Sequence, residues 1–173
     1  NFASDPDHYD DDIILHEFAH LVAELFSKDD SAGGSHTITS KVDLRLSWSE
    51  GLAHYLSSAI RGDSLHVDSQ GSVLPNGASI TTTFDIASPS SRAVGSENEW
   101  AVANVLWRAA QSSSHNNILS VITAFKSPPA TLTSEAISMD QFHDIWPTVR
   151  PDVDLASIYA DRTMLYAIDS LDS

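Results

Sequence analysis

Apolar positions recur at helical spacing near the start of the chain. Ile14, Phe18, Leu21 and Leu25 fall three or four residues apart. This predicts a helix over about 11–27 with those side chains as its buried face. Asp10, Asp11 and Asp12 precede the run and offer an N-cap and first-turn negative charge. A connection rich in Asp, Ser and Gly follows over 28–46, and a second helical pattern over about 47–60 carries Leu52, Leu56 and Ala59. The period then changes. Ala78, Ile80, Thr82, Phe84 and Ile86 alternate with Thr81, Thr83 and Asp85, and Asn76-Gly77 is a hairpin signal, so 64–86 is expected to be strand and turn. A Ser/Pro loop occupies 87–95. A third helix is expected from Ser96, in a capping box with Glu99, to about Gln111. Helical patterns at 116–126, 138–146 and 153–168 follow, punctuated by Pro128-Pro129, Pro147 and Pro151. Together these predict a mainly α, α+β fold, helical with a small β-hairpin or sheet element. With no repeat and no composition break, 1–173 is expected to be a single domain.

Charge narrows the function. The chain has 173 residues and a net charge of −15. Such a surplus repels phosphates and argues against nucleic acid as a partner. Without cysteine there is neither a disulfide framework nor thiol chemistry. No apolar run reaches membrane-spanning length, so no membrane span is expected. An Asp- and Ser-rich composition suits an exported protein, extracellular or periplasmic. Asn1 stands where a Met would begin a nascent chain, so a processed piece of a longer chain is expected.

Within the first helical pattern, residues 16–20 read His16-Glu17-Phe18-Ala19-His20, an HExxH motif. Histidines four apart lie on one helical face, so both imidazoles reach a single metal, while Glu17 sits where it meets a water rather than the metal. Zinc takes such nitrogen and carboxylate ligands tetrahedrally and keeps one position open in catalytic sites. A third ligand is then required. The metzincin pattern needs Gly at position 23 and His at position 26, where this chain has Ala23 and Phe26. The better candidate is Glu50, near the start of the second helical pattern in Trp48-Ser49-Glu50-Gly51-Leu52-Ala53. Its alternative role is a capping box with Ser47. Asp43 precedes that helix pattern and Asp63 follows it.

Over about residues 13–56 the chain resembles the gluzincins, the thermolysin-like and aminopeptidase-like zinc metallopeptidases. Their second helix carries a Glu ligand in a W-x-x-E-G-x-A-like context, of which Trp48–Ala53 is a shortened version. The resemblance implies a zincin-like catalytic domain with one zinc on His16, His20 and Glu50, and Glu17 as general base. It implies hydrolysis of a peptide or protein substrate. Where thermolysin-like enzymes have an Asp four residues after this Glu, the chain has His54. No upstream substrate-amine motif is present, so aminopeptidase specificity is not supported.

A zinc peptidase also needs a donor for the oxyanion that develops on the scissile carbonyl. His36, His143, Tyr159, Tyr166 and Arg162 are candidates. His36 leads, because Gly33 and Gly34 before it let the loop approach the cleft closely. Ligand histidines usually donate their second N–H to a carboxylate or carbonyl. His54, Glu97 and Glu99 are the candidates for supporting the ligands from behind. Arg61-Gly62-Asp63 spells an adhesion tripeptide, but Gly62 reads as a helix stop. Two other functions fit the motif: a metal-binding recognition domain without catalysis, and a zincin-fold hydrolase of a non-peptide amide or ester.

Overall fold

The computed structural model describes residues 10–37, 39–70, 80–127 and 137–164. Six helices and one hairpin are formed there: α1 (Asp11–Phe26), α2 (Leu44–Arg61), β1 (Leu65–Gln70), β2 (Ile80–Asp85), α3 (Glu99–Ser112), α4 (His115–Ala124), α5 (Met139–Val149) and α6 (Ala156–Asp161). The fold is mainly helical with a two-stranded antiparallel sheet, an α+β arrangement. β1 and β2 pair in register Leu65↔Asp85 to Gln70↔Ile80. Asn76-Gly77 and Pro128-Pro129 lie outside the described residues.

α2 is the central element, packed between α1 and α3. It is buried along most of its length although it carries Ser47, Ser49, Ser57 and Ser58. Small side chains let neighbouring backbones come close, and the hydroxyls of Ser47, Ser49 and Ser57 find partners, while Ser58 Oγ has none among the described residues. Ser57 donates to the Asp12 carbonyl at 3.0 Å, and Ser47 donates to the carbonyls of Leu44 and Ser96. Gly51 makes the closest approach. A Cβ built there would lie 2.6 Å from Val102 Cβ and 2.7 Å from the Glu99 carbonyl oxygen, so only glycine fits. Below α2 the core is built from Trp48, Leu52, Val105, Leu106, Ile122, Phe142 and their neighbours.

α1 corrects one expectation. Ile14, Phe18, Leu21 and Leu25 are each about half exposed, at 46–51%. The face that meets α2 is instead Asp12, His16, Ala19 and Ala23. Alanines permit a short interhelical distance, and that distance lets His16 and His20 reach α2, so the larger apolar side chains turn outward. Helical periodicity located the stripe, but not which side of it was covered.

Several boundaries also move. α2 begins at Leu44 rather than Ser47, capped by Asp43, whose carboxylate accepts from the Arg45 N–H at 3.0 Å. The Ser47–Glu50 capping box is therefore absent, and Glu50 sits well inside the helix. α3 begins at Glu99 behind an Asn98 cap that accepts from the Ala101 N–H, so no Ser96–Glu99 capping box forms. Pro147 lies inside α5 instead of ending it. Of the helix expected over 153–168, the described residues, which end at 164, form Ala156–Asp161, and Thr163 beyond it adopts a left-handed φ of 56°.

Candidate metal centre

His16 and His20 project from one face of α1 toward Glu50 on α2. Three donor atoms meet there. His16 Nε2 lies 3.0 Å from Glu50 Oε2, His20 Nε2 lies 3.2 Å from His16 Nε2, and His20 Nε2 lies 3.5 Å from Glu50 Oε2. A zinc ion with bonds of about 2.0–2.1 Å and tetrahedral angles would set its ligand atoms about 3.3 Å apart. The triangle therefore fits the edge length of a zinc site. Among the described residues these three form the one cluster of metal-ligating groups. The chemistry agrees, since two imidazole nitrogens turned toward each other over a carboxylate suit a shared cation.

Electrostatics follow from the same contacts. Burial pushes the Glu50 carboxyl up, but hydrogen bonds from His16 and His20 outweigh it and hold Glu50 far below the usual carboxylate range. The Glu50 contact raises His20, against the opposing effect of burial. The contact thus favours the charged forms of both Glu50 and His20.

A cleft of about 620 Å³ opens over these residues. Exposed Glu17 lines it beside His16 and His20. His36 also lines it, brought in by the connection between α1 and α2. The His36 Nδ1 meets Glu99 Oε2 at 2.7 Å, and its Nε2 lies 3.6 Å from Glu50 Oε1. Burial raises the Glu99 carboxyl, and the facing His36 works against that rise. His54 is buried between His16, at 4.4 Å between ring centroids, and Trp100, on which it stacks at 4.2 Å. Burial, reinforced by His16 and His66, pushes His54 well below its ordinary value, so it is neutral at pH 7. Its Nε2 is 3.8 Å from Glu99 Oε1. His54 therefore backs His16 by packing, while Glu99 supports His36 and His54 rather than the two motif histidines.

Other candidates lie elsewhere. Glu97 points outward, 42% exposed at its side chain and 3.8 Å from Lys41 Nζ, so it does not support the site. The helix start at Asn98 turns Glu99 inward and leaves Glu97 outside. His143 faces Asp144 at 3.1 Å and lines, with Tyr159, a separate cavity of about 560 Å³ between α5 and α6. Arg162 reaches the Ala93 carbonyl at 3.4 Å. None of these three lines the cleft, and Tyr166 is outside the described residues. Gly62 is the left-handed C-cap of α2, and Arg61 pairs with buried Asp12, which also accepts from the Val67 N–H at 2.8 Å. That tripeptide is part of the scaffold joining α1, α2 and β1.

Residues 2–168 match the family model described as the mycolysin C-terminal domain. The chain belongs to the mycolysin C-terminal domain family. The matched span includes both the HExxH segment and Glu50. Membership associates the chain with a metallopeptidase family, of which the matched region is the C-terminal domain. No curated protein and no solved structure matches the chain. Among the described residues no helix of this family member is long and apolar enough to cross a membrane.

Three residues of the site were not singled out from sequence. His66, buried on β1, sets its ring 4.9 Å from His54, and strand alternation placing it beside in-facing Phe84 was the available signal. Asp29 and Ser49 lie against His20, and their pairing depends on a connection whose path no periodicity predicts.

Proposed function

We propose that this domain is a gluzincin-type zinc peptidase domain that hydrolyses peptide bonds with one zinc held by His16, His20 and Glu50. The convergence of three ligand atoms from two helices, with Glu17 at the mouth of the cleft, carries this reading. Bound zinc supplies Lewis acidity, lowering the pKa of water to about 7 and polarising a carbonyl. Glu17 accepts the proton of the attacking water and returns it to the leaving amine. His36, with its Nδ1 held against Glu99, turns Nε2 toward the cleft, and with that nitrogen protonated it is the candidate donor to the carbonyl oxygen. The substrate is a peptide or protein, and the net charge of −15 argues against nucleic acid. Family membership and composition support an exported protein.

A second reading is a zinc-bearing recognition domain without turnover. It is favoured by the open apolar stripe Ile14, Phe18, Leu21 and Leu25 on the motif helix, a surface suited to binding another polypeptide. Incubating zinc-loaded and chelated protein with a mixed peptide library separates the two. Zinc-dependent cleavage supports the peptidase, and a loaded protein that cleaves no peptide supports recognition.

A further inference from the structure

The two motif histidines are held in different ways. His16 Nδ1 is buried with no hydrogen-bond partner among the described residues, and packing against His54 sets its ring. His20 Nδ1 instead lies 3.3 Å from Ser49 Oγ, and Ser49 Oγ donates to Asp29 Oδ2 at 2.6 Å. A serine hydroxyl has one proton. Because Asp29 takes it, the Ser49 oxygen can only accept from His20. Once Nε2 gives up its proton to take a metal, His20 keeps its proton on Nδ1 and presents the Nε2 lone pair on the side where His16 and Glu50 converge.

Asp29 is itself fixed. Its second oxygen, Oδ1, accepts from the Ser31 N–H at 2.9 Å. The chain just before it is anchored where the Ser27 hydroxyl donates to the Ile122 carbonyl at 2.6 Å. The path therefore closes on itself, from α1 through the connection to α2, and from Ser49, next to Glu50, back to α1.

We infer that Asp29 and Ser49 are positioning residues that fix the tautomer and aim of His20 toward the metal. The inference rests on the zinc reading given above. Hydrogen-bonded carboxylates behind ligand histidines typically change metal affinity about 10–100-fold when removed. No equivalent polar support exists for His16 among the described residues, so the effect belongs to one ligand of the pair.

The test is zinc affinity of the whole chain, measured by competition with a chromophoric chelator at neutral pH. Ser49→Ala and Asp29→Ala should each bind zinc about 10–100-fold more weakly. Combining them should add little to the larger single loss, because both break one path. Asp29→Asn keeps an acceptor oxygen and should lose less than Asp29→Ala. Glu97→Gln, an outward carboxylate, should bind like the wild type. A structural effect alone leaves the tautomer untouched, so the His20 Nδ1–H resonance of the zinc-loaded protein is the second readout. It should be protected from exchange in the wild type and lose that protection in Ser49→Ala. If Ser49→Ala fails to fold, Asp29→Ala decides, since it leaves α2 unchanged. Wild-type affinity in both alanine variants overturns the relay and leaves the zinc site standing. A wild-type chain that binds no zinc overturns both.

Discussion

Gly51→Ala should perturb the proposed metal centre without changing any of its proposed ligands. The new Cβ would meet Val102 Cβ and Cγ1 at 2.6 Å and the Glu99 carbonyl at 2.7 Å. Ordinary contact begins at 3.4 Å, so α2 and α3 must separate by about 0.8 Å at this crossing. The carbonyl is backbone and cannot rotate away. Overpacking of this kind costs about 1–3 kcal/mol, while replacing glycine inside a helix returns up to about 1 kcal/mol. With the full glycine offset the net loss is about 0–2 kcal/mol, or up to roughly 8 °C in melting temperature for a chain of this size. Glu50 is the adjacent residue, and a metal site tolerates about 0.2 Å in its ligand distances. Zinc affinity should therefore fall by about tenfold or more. Thermal melts in chelator report the packing term, and zinc competition reports the ligand shift. Adding Val102→Ala removes Cγ1 but keeps Cβ and the Glu99 carbonyl, so it should recover only part of the loss. A Gly51→Ala protein that melts and binds zinc like the wild type would refute the close approach of α2 and α3.

Glu17→Gln should keep zinc and lose at least about 10²–10⁴-fold in peptide hydrolysis, because the amide cannot accept the proton; an active, zinc-loaded variant contradicts Glu17 as base. The metal-free protein should lose stability as pH falls from about 6.5 to about 5. The sign follows from His54, whose folded-state pKa is depressed by burial next to His16 and His66, so the unfolded chain binds a proton that the folded chain refuses. His66, also depressed by burial, acts in the same direction. His20 is raised and acts oppositely, its contribution being lost as pH rises through its folded value. Melts in chelator across that range should show His54→Gln flattening the slope by up to one proton, about 1.4 kcal/mol per pH unit. An unchanged slope contradicts a neutral, buried His54.

The metal-binding candidates were legible because their spacing is itself coordination chemistry. Two histidines four apart must share a helical face whatever packs behind them. Glu50 was legible through its sequence neighbourhood, and Trp48 beside it is a core anchor against Phe125 and Phe142. The hairpin alternation through Thr82 and Phe84 also appears as a strand. What escaped depends on tertiary distance. The outward stripe on α1 has the same periodicity as a buried one. Ser96 and Asn98 both suit a helix cap, and only the short contact to Ser47 shows why the helix waits for Asn98. Asp29 pairs with Ser49 across 20 residues, a contact that neither composition nor period encodes.

Zinc content tests the central claim most directly. The wild-type chain, purified and dialysed against buffered zinc, should retain about one zinc per molecule. His16→Ala and Glu50→Ala, treated identically and checked for folding, should retain almost none. Full zinc retention by a folded Glu50→Ala would contradict a site of two histidines and one glutamate joining α1 to α2.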